Sequence, residues 1–166
     1  YDETADVLVR EGVIEAISNQ PGELQSSEAM LIDLEGRMVT PGLVDPHVHL
    51  REPGGEKKET IATGTAAAIN GGFTTVCCMP NTTPAIDSTT TLDFIQMKAE
   101  ETSHCRTFIV AAATESRQGQ HLAPMYAMAA AGAVAFSDDG DGIESADMMR
   151  RVLMTCRDID LSLIHI

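Results

Sequence analysis

The sequence contains no run of roughly 18 or more apolar residues, the length a membrane-crossing helix needs. No basic-then-apolar leader opens it either. It is poor in positive charge: 11 Lys and Arg stand against 25 Asp and Glu, a formal net charge of −14. A surface of that sign repels phosphate backbones and anionic bilayers, so neither nucleic acid nor a membrane is an expected partner. No Cys-x-x-Cys pair occurs among Cys77, Cys78, Cys105 and Cys156. Adjacent Cys77 and Cys78 would point to opposite faces of a strand, which does not suit a disulfide framework; reduced thiols in a cytoplasmic protein are expected instead. No Gly-x-Gly-x-x-Gly follows any strand-like run, so a dinucleotide-binding fold lacks its signature. What is present is ordinary for a globular chain. Of 166 residues, 43% are hydrophobic, enough to bury a core, and 13 Gly with 7 Pro announce many turns.

The chain changes rhythm near Pro41. Before it, strand-like runs at 5–10 and 13–17 flank Glu11-Gly12, and runs at 30–34 and 37–39 flank Glu35-Gly36, two hairpin signals. Residues 1–40 therefore read as a small β module. From residue 41 to 166, apolar strands at 43–49, 73–79, 106–113, 133–137 and 161–165 alternate with helical segments at 60–69, 88–101, 121–131 and 145–157. Asp87 or Ser88 is placed to cap the second of these helices. Strand starts recur at a spacing of roughly 30 residues, the length of one β-α unit. Near-continuous apolar strands indicate a parallel sheet covered by helices. The class is α/β, either a (β/α)8 barrel or a doubly wound sheet. Met125, Met128, Met148, Met149 and Met154 fall in helices and read as packing.

The polar residues fall at the strand ends. The first strand of the repeat closes with Asp45-Pro-His47-Val-His49-Leu-Arg51-Glu-Pro-Gly. Residues two apart on a strand share a face, so His47 and His49 project together, with Arg51 in line if the extended path continues. Two imidazoles on a rigid base suit a divalent metal. Later strands end in Asn81, in Asp138-Asp139-Gly140 and in His165. Each has a plainer reading alone: surface histidines, a loop cap, a turn, a solvated arginine, a core histidine. The β-α phasing nevertheless puts them all on the C-terminal rim, where barrels do their chemistry. His104 and His121 lie away from that rim and read as surface residues.

The run Pro41-Gly-Leu-Val-Asp-Pro-His-Val-His-Leu-Arg-Glu-Pro-Gly-Gly55 resembles the metal-binding signature of the dihydroorotases, in the amidohydrolase superfamily. The resemblance continues through Glu59-Thr-Ile-Ala-Thr-Gly-Thr65, Gly71-Gly-Phe-Thr-Thr75, Met79-Pro-Asn-Thr82 and Phe136-Ser-Asp-Asp-Gly140. It implies a (β/α)8 TIM-type barrel, here incomplete with its first five strands, preceded by part of a β-sandwich. It implies a cyclic-amide hydrolase that interconverts N-carbamoyl-L-aspartate and L-dihydroorotate in pyrimidine biosynthesis, with two zinc ions per site in the complete enzyme. By the same resemblance His47 and His49 are ligands of the more buried metal. Asp139 is the carboxylate bridging the two metals, with Asp138 the alternative, and His165 begins the second metal's ligand set. The absence of lysine from residues 132–142 agrees with the bacterial type I group, whose bridge is an aspartate. Arg51 and Asn81 are implied to grip the substrate carboxylate, a role suited to arginine's planar fork. The family's remaining metal histidine and its proton-shuttling aspartate belong to later strands than this chain holds.

The partners expected are a small-molecule substrate, further copies of the chain in a homo-oligomer, and aspartate transcarbamoylase. The rival readings are an allantoinase or dihydropyrimidinase, and a non-catalytic dihydroorotase-like scaffold subunit. The ends read as truncations: Tyr1-Asp2 leads into a strand without an initiator methionine, and Leu161-Ser-Leu-Ile-His-Ile166 stops without a turn, with Ile166 expected to be foreign to the native sequence. The piece itself is expected to be inactive, because five strands cannot close an eight-strand barrel.

Overall fold

The computed structural model describes residues 3–24 and 28–164. It divides into two compact units, Tyr1–Pro41 and Gly42–Ile166.

The first unit holds one antiparallel pair, β1 (Asp6–Arg10) with β2 (Val13–Ser18). Glu11 (φ 50°) and Gly12 (φ 77°) are both left-handed, as the two-residue turn of a twisted hairpin requires. The second expected hairpin keeps its turn and loses its strands. Glu35 (φ 52°) and Gly36 (φ 74°) turn the chain and Arg37 N–H donates to Leu34 O at 2.9 Å, yet residues 30–34 and 37–39 form no strands. A lone two-stranded ribbon with no third strand or packed face is marginal in water. Met30, Leu31 and Met38 accordingly stand more than 80% exposed.

The second unit is a five-stranded parallel sheet in sequential order: β3 (Leu43–Val48), β4 (Phe73–Cys78), β5 (Arg106–Ala111), β6 (Ala135–Phe136) and β7 (Ser162–Leu163). Helices α1 (Ile61–Asn70), α2 (Thr89–Thr102), α3 (Met125–Ala130) and α4 (Ala146–Asp158) fill the four crossovers. This is the first half of a TIM-type barrel. The chosen caps are chemically plain. Thr60 and Thr63 exchange side-chain and backbone hydrogen bonds at 3.1 Å each way at the start of α1. Ser88, not Asp87, caps α2 through Thr91 N–H at 3.3 Å. Each such cap contributes about 1 kcal/mol.

The helix expected from 121 begins only after Pro124, because residues 121–123 are used as a strap. Glu115 N–H donates to His121 O at 2.9 Å and Ala123 N–H to Ala113 O at 3.0 Å. The core lies between sheet and helices, with Ile61, Leu92, Ile95, Ile109, Met128, Phe136 and Val152 fully enclosed. Cutting Phe136 back to alanine would cost about 3–5 kcal/mol. Cys77 and Cys78 do face opposite ways and join different apolar clusters. Met125, Met128 and Met148 pack as expected; Met154 does not and is 42% exposed. His104 and His121 are exposed. No described helix is long and apolar enough to cross a membrane.

Candidate metal centre

Three side chains converge at the C-terminal end of the sheet. His47 belongs to β3, His49 follows it by one residue, and Asp139 sits in the turn after β6. Their ligand atoms lie within 4.8 Å of one another. His47 Nε2 is 3.3 Å from Asp139 Oδ1 and His49 Nε2 is 3.6 Å from Asp139 Oδ2. The two rings meet edge to face, 5.2 Å between centroids. Asp45 stiffens the strand below them by accepting from His47 N–H at 3.0 Å.

Asn81, just after β4, orients one imidazole. Its Oδ1 can only accept, so the 2.9 Å contact with His49 Nδ1 puts the hydrogen on Nδ1. Its Nδ2 donates to Asp139 Oδ2 at 2.9 Å. His49 Nε2 is then the nitrogen turned toward a carboxylate oxygen, Asp139 Oδ2 at 3.6 Å. Two imidazole nitrogens and a carboxylate oxygen are a donor set that zinc and similar divalent ions accept. The Asn81 contact is also the outer hydrogen bond that fixes a ligating histidine's tautomer. The residues present therefore fit a divalent metal.

The neighbouring carboxylate does something else. Asp138 is 5% exposed and accepts from Ala113 N–H at 2.9 Å, from Thr114 N–H at 3.0 Å and from the Thr114 hydroxyl. It ties the end of β6 to the end of β5.

Arg51 departs from the expected path. β3 ends at Val48 and Arg51 takes φ 60°, so it does not continue the extended His47–His49 row. Glu52 turns back to accept from Ile61 N–H at 3.0 Å, which bends the segment onto α1. The Arg51 guanidinium, partly buried, makes no hydrogen bond or ion pair among the described residues. His165 and Ile166 lie outside the described residues.

A family model described as Dihydro-orotase-like matches residues 36–165. The chain belongs to that dihydro-orotase-like family. Its relatives include a dihydroorotase of Halalkalibacterium halodurans, 45% identical over 97% of this chain and 37% of that protein. A dihydroorotase of Trichlorobacter lovleyi is 44% identical over 98% of this chain and 38% of its own length. The chain thus spans little over a third of these relatives. Among solved structures, the L-hydantoinase (dihydropyrimidinase) from Arthrobacter aurescens superposes with a TM-score of 0.80 over 96% of this chain and 36% of its own, at 22% identity. That likeness establishes the fold.

In this dihydro-orotase-like chain, two residues at the site escaped the sequence reading. Thr114 and Arg117 follow β5, the one strand whose end was assigned no polar candidate. Thr114 is fully buried against Asp138, and Arg117 Nη1 donates to the Asp139 carbonyl at 2.7 Å. The strand-end rule that selected the others points equally to Thr114-Glu-Ser-Arg117.

Proposed function

We propose that the full-length protein is a metal-dependent cyclic amidohydrolase, a dihydroorotase interconverting N-carbamoyl-L-aspartate and L-dihydroorotate in pyrimidine biosynthesis. The observation that carries this reading is the facing of His47 and His49 Nε2 against the Asp139 carboxylate, with Asn81 fixing the His49 tautomer. His47, His49 and Asp139 would hold a divalent cation, zinc suiting the imidazole donors, and Asp139 and His165 would contribute to holding a second one. When bound, such a metal pair supplies Lewis acidity toward water and the ring amide carbonyl.

This chain's own residues bind and orient. The partnerless Arg51 guanidinium takes the substrate carboxylate as a bidentate pair. Asn81 adds an amide donor from its place beside His49, exchanging its hold on Asp139 for the substrate as the site fills. Proton transfer to the leaving ring nitrogen falls to an aspartate on a later strand. The β1–β2 pair belongs to a β-sandwich completed by other parts of the protein. The same reading includes a cytoplasmic homo-oligomer able to associate with aspartate transcarbamoylase.

Two features favour dihydroorotate over a hydantoin or dihydropyrimidine ring: the free arginine suited to an acid substrate, and dihydroorotases as relatives at about 45% identity. The test is cyclisation of N-carbamoyl-L-aspartate by the full-length protein, before and after chelation, beside the 166-residue piece. Chelator-sensitive turnover by the full-length protein alone is expected. Turnover of hydantoin or dihydrouracil without that of carbamoyl-aspartate would replace this assignment with the rival one.

A further inference from the structure

Asp139 occupies the second position of a four-residue turn. Asp141 N–H donates to Asp138 O at 2.9 Å, and Gly140 at the third position has φ 87°. That positive φ is the mark of a type II turn, whose central peptide can flip over to the type I arrangement. The central peptide here runs from the Asp139 carbonyl to Gly140. That peptide directly adjoins the residue carrying the metal-facing carboxylate.

Arg117 grips that peptide from the neighbouring segment. Its Nη1 donates to the Asp139 carbonyl at 2.7 Å and to Asp141 Oδ2 at 2.6 Å, spanning both ends of the turn's second half. A Cβ on Gly140 would stand 3.4 Å from this Nη1 and 3.6 Å from Asn81 Nδ2, so arginine and asparagine flank the same turn. The arginine is only 19% exposed, and its Nε is buried without a partner. Ser116 (φ 52°) and Arg117 (φ 60°) are both left-handed without being glycine, a conformation that persists only when the surroundings impose it. Those surroundings are visible. Ser116 N–H donates to Asp87 at 2.8 Å, Arg117 N–H to Thr114 O at 3.0 Å, and Gly119 N–H to the Thr114 hydroxyl at 2.9 Å. The same Thr114 holds Asp138. One segment, 113–119, thus pins the residue before Asp139 by its carboxylate and Asp139 itself by its carbonyl.

We propose that Arg117 is a positioning residue: it locks the Asp138–Asp141 turn in the peptide orientation that aims the Asp139 carboxylate at His47 and His49. It touches neither substrate nor metal. The proposal rests on the metal reading above. Ligand-orienting groups of this kind change metal affinity by about 10–100-fold.

The test is Zn2+ affinity, measured by competition with a chromogenic chelator, on the full-length protein and its R117A, R117K, D141N and H49A variants. R117A is expected to bind Zn2+ about 10–100-fold more weakly, with partial recovery in R117K. D141N takes the charge from the exposed half of the clamp while keeping an acceptor oxygen there, so it should show a smaller loss with the metal-free thermal midpoint unchanged. D141N decides the matter alone if R117A fails to fold. Wild-type affinity in R117A and D141N, with affinity lost in H49A, overturns the role of Arg117 and leaves the metal reading standing. Wild-type affinity in H49A overturns the metal reading and the proposal with it.

Discussion

Two adjacent carboxylates at the end of β6 show how surroundings divide labour between identical side chains. Asp138 has all the hydrogen-bond donors it needs from Ala113 and Thr114, and it is sealed from water. Asp139 faces the Nε2 atoms of His47 and His49 and takes one amide donor, from Asn81. The first corner is saturated and serves the fold. The second faces two imidazoles and, on the function proposed above, serves the metal. A buried charge with its donors supplied is stable where it is.

The sharpest way to break this contrast is to neutralise each carboxylate in turn in the full-length protein. Asp139→Asn should lower kcat by about 10^4-fold or more, as loss of one member of a catalytic unit does, while the thermal midpoint of the metal-free protein stays near wild type. Steady-state kinetics with zinc in excess reads the first effect and calorimetry the second. Asp138→Ala should do the reverse. It strands two buried N–H groups and a hydroxyl, which costs about 3–5 kcal/mol of stability in urea unfolding, and zinc affinity per folded molecule should fall much less than in Asp139→Asn.

Thr114→Val removes only the hydroxyl from that corner. A loss of about 1–3 kcal/mol in the same unfolding experiment is expected. A Thr114→Val protein as unstable as Asp138→Ala would mean that the backbone donors contribute nothing.

The smallest effect concerns the two adjacent thiols of β4. Full burial pushes the Cys78 thiol up to about 12, whereas Cys77, on the opposite face of β4 and only partly buried, is raised less. A raised thiol pKa leaves less thiolate, and thiolate is the reactive form. Between pH 8 and pH 10, Cys78 should therefore resist labelling by a disulfide reagent while Cys77 becomes increasingly reactive. Mass mapping of the labelled peptides checks this, and equal labelling of both would show that the core around Cys78 opens.

Much of this arrangement was legible in the sequence because it depends on short periods. His47 and His49 share a face by strand alternation, and Asp139 reaches the rim by the β-α repeat. The split between Asp138 and Asp139 was not legible in the same way, because it is made by Ala113 and Thr114 some 25 positions earlier. Arg117 stood within reach of the strand-end rule, but its role was not legible, because its partners become neighbours only when β5 and β6 pair. Local periodicity also misled. Residues 30–39 alternate and turn like a hairpin, yet no described strand pairs with them. Arg51 was drawn in line with the histidines, while Glu52 capping α1 bends the chain away at that point.

The claim on which all of this depends is that one cation sits among His47, His49 and Asp139. A crystal structure of the zinc-loaded full-length protein, with anomalous data collected at the zinc edge, tests it directly. The account predicts an anomalous peak about 2.0–2.2 Å from His47 Nε2, His49 Nε2 and an Asp139 oxygen. A zinc peak elsewhere, or an Asp139 carboxylate turned from both histidines while zinc is bound, would contradict it.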